Sequence, residues 1–198
     1  MKVKFWADLH LDHPKAYTFR PWFKSMEEHD EWIADTLAEA IGPRTIIKLL
    51  GDASVGRKGL ETLQKIFSDA KCQRLLVMGN HDAERQGIKM RDLVDVYTDV
   101  QALTKQGKGF WLSHAPIHES ELRGKKNIHG HIHQDVIRDP RYINVCVDYA
   151  KTPVSLEDIV SGTYTSHDKY VEPSTGKVKK ISEAPATPMS VHQPFIQC

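Results

Sequence analysis

One stretch limits what this chain can become more than any other: Leu75-Leu76-Val77-Met78-Gly79-Asn80-His81-Asp82. It opens as a short apolar run, the pattern of a strand buried on both faces. It then switches abruptly to a glycine, an amide, an imidazole and a carboxylate. The same switch recurs along the chain. Lys2 to Ala7 leads to Asp8-Leu9-His10, Ile46 to Leu50 to Gly51-Asp52, and Phe110 to Ser113 to His114. Ile128 precedes His129-Gly130-His131-Ile132-His133. Five strand ends offering Asp, His, Asn and His-x-His predict one metal site assembled from a whole sheet.

The chain around those ends reads as α/β. Ser25 with Glu28 three residues on is a capping box. The helix after it carries Trp32, Ile33, Leu37 and Ile41 at helical spacing and stops at Gly42-Pro43. Arg57 to Ala70 is a second helix, with Leu60, Leu63, Ile66 and Phe67 on its inner face. Up to strand three the order is β-α-β-α-β, which predicts a parallel sheet with helices on its faces. Val94 to Thr98, Val100 to Thr104, Phe110 to Ser113 and Tyr142 to Val147 read as strands, with Gln106-Gly107-Lys108-Gly109 as a hairpin turn. Ser155 caps a short helix through Ile159. A parallel first half and a hairpin-rich second half predict a four-layer α/β sandwich with mixed sheets. A domain over residues 1–162 is expected, followed by a C-terminal extension or tail over 163–198. Four of the ten prolines lie in that extension, and Lys169–Glu172 with Lys177–Ile181 can form a hairpin.

At 198 residues the chain is long enough for one sizeable core. Its net charge of +1 gives no field for general nucleic-acid or membrane binding. Cys72, Cys146 and Cys198 form no C-x-x-C pair, which predicts reduced thiols and a cytoplasmic setting. No signal peptide and no bilayer-spanning apolar run is read.

The ordered set D-x-H, GD, GNHD, an isolated His and G-H-x-H resembles the calcineurin-like metallophosphoesterases over residues 1–160. Within them it is most similar to small stand-alone bacterial and phage phosphoesterases, which share the D-x-H-x-x-H opening of Asp8, His10 and His13 and an ending like Asn144-Val145-Cys146-Val147-Asp148. The resemblance implies a binuclear centre: Asp8, His10 and His133 on one metal, Asn80, His114 and His131 on the other, and Asp52 bridging. Two divalent transition metals are implied, Mn²⁺ first, with Fe, Zn or Ni accepted by the same imidazole and carboxylate donors. A bridging hydroxide would attack phosphorus in line. His81 would be the catalytic general acid or electrostatic stabiliser, and His13 would bind the substrate phosphate.

Protein phosphatases of this family carry GDxVDRG and end the third motif in Glu. Here Val55 stands where the second Asp would be, and the motif ends in Asp82. The carboxylate that orients the catalytic histidine is therefore absent from its usual place, leaving Asp82 and Asp12 as candidates. The implied activity is a phosphodiesterase on nucleotides or small diesters. The alternatives are a phosphomonoesterase, action on short nucleic acid, and an interaction scaffold like the retromer subunit of this fold.

Other residues take plainer readings. His129 is an extra strand-end histidine, His118 a loop residue, and His29 lies on the solvated side of its helix. His167 and His192 have no role. Arg123-Gly124-Lys125-Lys126 is a solvated turn, with a phosphate contact as the alternative. Tyr17 to Phe23 is core or a helix staple, with Tyr17 and Trp22 able to wall a cleft.

Overall fold

A computed structural model describes residues 1–82 and 89–183. His192 and Cys198 lie outside the described residues, as does the rest of the extension beyond 183.

The first sheet grows from the three apolar runs. β1 (Lys2–Trp6), β2 (Thr45–Leu50) and β3 (Gln73–Val77) pair in parallel, so all three end on the same edge. β4 (Val96–Thr98) extends the sheet in parallel beside β3, and β9 (Val154–Ser155) closes the other side antiparallel to β1. After a single helical turn, α1 (Ala16–Phe19), two long helices supply the crossovers. α2 (Met26–Ala40) starts at Ser25, whose hydroxyl accepts the Glu28 N–H at 3.2 Å, an end contact worth about 1 kcal/mol. The reciprocal arm of the capping box goes one residue further out, since Glu28 accepts from the Lys24 N–H at 2.7 Å. α3 (Arg57–Ala70) buries Leu60, Leu63, Ile66 and Phe67, the face its periodicity predicts.

The second sheet has the order β5–β6–β7–β8: Val100–Lys105, Lys108–Ser113, Lys126–His129 and Tyr142–Asn144. Only the β5–β6 pair is the expected hairpin; β6–β7 and β7–β8 are parallel. Parallel neighbours need a crossover, and here residues 114–125 and 130–141 provide it without a long helix. Those crossovers carry His114, His131 and His133.

Beyond Asn144 the chain leaves the second sheet to join the first. The Ala7 N–H donates to Val145 O, and the Val147 N–H donates to Ala7 O. The predicted strand to Val147 is therefore a stitch between sheets, with Cys146 bridged to Ala7. One apolar core runs through both, from Phe5, Trp6 and Leu76 to Phe110, Ile128 and Ile143. The architecture is α/β with mixed sheets.

α4 (Leu156–Ser161) is capped by Ser155 at its start and by left-handed Gly162 at its end. The segment after Gly162 is tied to the body: Tyr164 Oη donates to Asn144 O at 2.7 Å, and Ser166 Oγ accepts the Asn144 N–H at 2.9 Å. β10 (Lys169–Val171) and β11 (Val178–Lys180) form an antiparallel hairpin whose turn brings Gly176 against the Trp22 ring.

Candidate metal centre

Where strands of both sheets end, the backbone turns left-handed at residues that are not glycine. Asp8, His10 and Asp52 have φ of 59°, 50° and 52°, and His131 and His133 have 72° and 47°. Asp and His tolerate this region better than bulkier residues, yet each position costs about 1 kcal/mol or more. Five costly positions, in three loops, converge on one place.

Asp8 is fully buried. Its Oδ2 accepts the His131 N–H at 2.9 Å and the Cys146 thiol at 2.8 Å. Its Oδ1 has no hydrogen-bond partner, and neither ring nitrogen of His10 has one. That oxygen lies 3.9 Å from His10 Nε2 and 3.9 Å from His133 Nε2. Asp52 sits between imidazoles from the two sheets, with Oδ2 3.7 Å from His10 Nε2 and 3.4 Å from His114 Nε2. Its Oδ1 accepts the His81 N–H at 2.8 Å. Asn80 Oδ1 is 3.0 Å from His114 Nε2, which is 3.1 Å from His131 Nδ1. Two clusters with the spacing of metal ligands result: Asp8, His10 and His133, and Asp8, Asp52 and His114.

The tautomers are set by the outer partners. His114 Nδ1 donates to Leu50 O at 2.9 Å, and His133 Nδ1 faces Asp148 Oδ2 at 3.1 Å. In both rings Nδ1 is committed outward and Nε2 turns inward, where loss of its proton leaves the lone pair with which imidazole binds a metal. Burial and then the neighbouring His133 and Arg20 charges hold His10 well below the usual imidazole range. Burial also opposes protonation of His114, but contact with Asp52 and the field of Asp8 win and push it up to about 9. Asp8 and Asp52 thus bring two buried carboxylates to the imidazoles of this hollow. These donors fit a divalent cation.

His81 and His13 stand at the side of this hollow. The His81 ring lies edge-on to His10 at 5.4 Å and 6.1 Å from the His13 ring. His13 Nδ1 accepts the Lys15 N–H at 3.0 Å, and its ring meets Phe19 at 6.2 Å.

Neither carboxylate proposed to orient His81 has a hydrogen bond to it. Asp82 accepts the N–H groups of Asp52, Ala53 and Gly79 at 2.8–2.9 Å, clamping the GD turn to the GNHD turn. Asp12 accepts the Lys58 N–H at 2.9 Å at the start of α3. His29 is not solvated: it is 0% exposed, covered by Phe23 and Arg20. Trp22 is covered by Gly176 and Lys151, whereas Phe19, 44% exposed, is the ring beside His13. Lys125 lies over the Trp111 ring and Arg123 pairs with Glu121. His129 is buried with Nδ1 on Gly130 O, and His118 caps a surface turn. Asp148 and Arg20 received no role from the sequence, because nothing local marks a pair 128 positions apart.

No family model matches the chain. The gene 66 protein of Mycobacterium phage D29 is 28% identical over 188 aligned positions, covering 79% of this chain and 93% of that protein. Among solved structures, the protein of unknown function AQ665 from Aquifex aeolicus is 24% identical, with a TM-score of 0.66 over 81% of this chain and 98% of that one. The E. coli phosphoesterase YfcE is 17% identical with a TM-score of 0.41 over 74% and 78% of the two chains, too loose a superposition to carry an argument. The likeness to AQ665 extends over nearly the whole of that protein, and what the chain shares with it is the fold.

Proposed function

We propose that this chain is a metal-dependent phosphohydrolase with a binuclear centre, acting on phosphodiesters of nucleotide type. One observation carries the reading: Asp8 Oδ1 and both nitrogens of His10 are buried without a hydrogen-bond partner inside a ring of further carboxylates and imidazoles. Each unsatisfied buried polar atom costs about 1–3 kcal/mol, and a bound cation removes that cost. Asp8, His10 and His133 would hold one ion, Asn80, His114 and His131 the other, with Asp52 between them. Mn²⁺ is the first choice, and Fe, Zn or Ni suit the same donors. When bound, the two ions supply Lewis acidity toward the phosphoryl oxygens and bring a water's pKa near neutrality.

The chain's own groups do the rest. Asp52 Oδ1 holds the His81 backbone, which keeps that ring at the mouth, where it can pass a proton to the departing ester oxygen. His13 accepts at Nδ1, so its Nε2 carries the hydrogen and is free to donate to a phosphoryl oxygen. Phe19 offers an exposed face to a nucleoside or aryl group.

The diester preference rests on the cations. A dianionic monoester gains most from fixed guanidinium groups. No arginine follows Asp52 in a D-R-G arrangement, and the nearby Arg20 is engaged by Asp148. With Mn²⁺ at one pH, the protein is expected to hydrolyse bis-p-nitrophenyl phosphate with higher kcat/KM than p-nitrophenyl phosphate. The reverse ranking would make it a monoesterase, and turnover of neither with two metals bound would favour the scaffold. The free, buried Cys72 and Cys146 suit a reducing cytoplasm.

A further inference from the structure

Behind the proposed centre lies a buried set of charged groups that the phosphohydrolase reading does not use. We propose that Arg20 and Asp148 are positioning residues that set His133 and the Asp8 turn for one ion of the pair, and not for the other. This role rests on the binuclear reading of the centre.

Asp148 is 1% exposed and Arg20 2%. Nε and Nη2 of the guanidinium donate to Oδ1 and Oδ2 of Asp148 at 3.3 and 3.0 Å, the planar fork that arginine provides and lysine does not. Nη2 also donates to Asp8 O at 2.6 Å, holding the left-handed turn that carries the ligand. Nη1 faces His29 Nε2 at 2.7 Å, and His29 Nδ1 faces Asp30 Oδ1 at 2.8 Å. On the far side, Asp148 Oδ2 takes the Nδ1–H of His133, whose Nε2 turns toward the unpartnered Asp8 Oδ1.

Donors and acceptors alternate without ambiguity along this line. Asp30 can only accept, so His29 carries its hydrogen on Nδ1 and offers a lone pair to Arg20. Asp148 can only accept, so His133 carries its hydrogen on Nδ1 and offers a lone pair inward. A carboxylate behind a metal-binding imidazole fixes the ring and raises its basicity. Stability is a poor reason for burying such a pair, because desolvation of a buried ion pair offsets most of its attraction. The ligands assigned to the other ion lie off this line: His114 is oriented by Leu50 O, and the shared Asp52 by the His81 and Asp82 contacts. Through His133 and the Asp8 turn, Arg20 and Asp148 therefore act on the site of Asp8, His10 and His133.

The test strips the full chain with a chelator and titrates Mn²⁺ by calorimetry, with metal content by elemental analysis. Wild type is expected to take two ions. In Asp148→Asn the side-chain amide can present its N–H₂ to His133 and select the wrong tautomer. One site should weaken by about 10–100-fold while the other stays within about twofold. Arg20→Lys keeps the charge, loses the fork, and should weaken the same site. Metal-free melting by circular dichroism tracks the fold separately. Equal loss at both sites, or a lower Tm with both affinities unchanged, would overturn the positioning role. Should Asp148→Asn fail to fold, Arg20→Lys decides by the same criterion. A wild-type chain that binds no metal would instead sink the binuclear reading, which is a different result.

Discussion

The two sheets bring different chemistry to the centre. The first contributes Asp8, Asp52 and Asn80, with His10 as its one proposed imidazole ligand. The second contributes three imidazoles, His114, His131 and His133, and no carboxylate ligand. The close approaches cross between them: Asp8 to His133, Asp52 to His114, Asn80 to His114. The support crosses as well. Leu50 O at the end of β2 orients His114, and the His131 N–H from the second sheet holds Asp8. In the proposed centre neither half supplies all the ligands, so metal binding would report that the sheets have packed correctly. Both halves carry left-handed turns, at Asp8, His10 and Asp52 in the first and at His131 and His133 in the second.

The sharpest way to break this comparison is Asp52→Asn, because Asp52 faces imidazoles of both sheets. The change should cost metal occupancy and lower kcat/KM by roughly 10³-fold or more. A variant that kept two ions per chain and near-normal turnover would show that Asp52 does not join the halves.

His81 belongs to the first half but is placed to meet substrate rather than metal. His81→Asn should lower kcat by about 10²–10³-fold with metal content unchanged. The loss should shrink for a nitrophenyl leaving group, which departs without protonation. Equal losses for good and poor leaving groups would assign His81 to electrostatic stabilisation.

The smallest effect tests the seam itself. Gly51 has φ +85°, and a Cβ there would run into the His114 ring and the Gly79 backbone. Gly51→Ala should destabilise the chain by about 2–3 kcal/mol, combining left-handed strain with overpacking. Urea denaturation without metal measures it. Wild-type stability would mean that the sheets meet less tightly than this contact requires.

Much of this was legible in the strand ends. An apolar run that stops at Asp8, Asp52 or Asn80 announces both a buried strand and a polar terminus, and α3 follows its periodicity residue for residue. The second sheet was harder to read. Val96 to Thr98 pairs with β3 instead of with a hairpin partner, and β6, β7 and β8 run parallel although no long helix separates them. Short strands carry too little pattern to reveal which neighbour they choose. His29 misled for a related reason: its helix position looks outward until the loop of Arg20 and Phe23 folds over it.

The sequence by itself determined which side chains stand at strand ends, because hydrophobic periodicity is local and its interruption is visible residue by residue. It also determined the helix starts, where Ser25 and Ser155 satisfy N–H groups three positions away. Only the tertiary structure decided which of those side chains face one another and what holds them from behind. Asp82 became a clamp on two turns, and Asp148 was fixed between Arg20 and His133. Such roles depend on burial and on partners more than a hundred residues away, and a carboxylate acquires them only when packing removes water and leaves it particular donors.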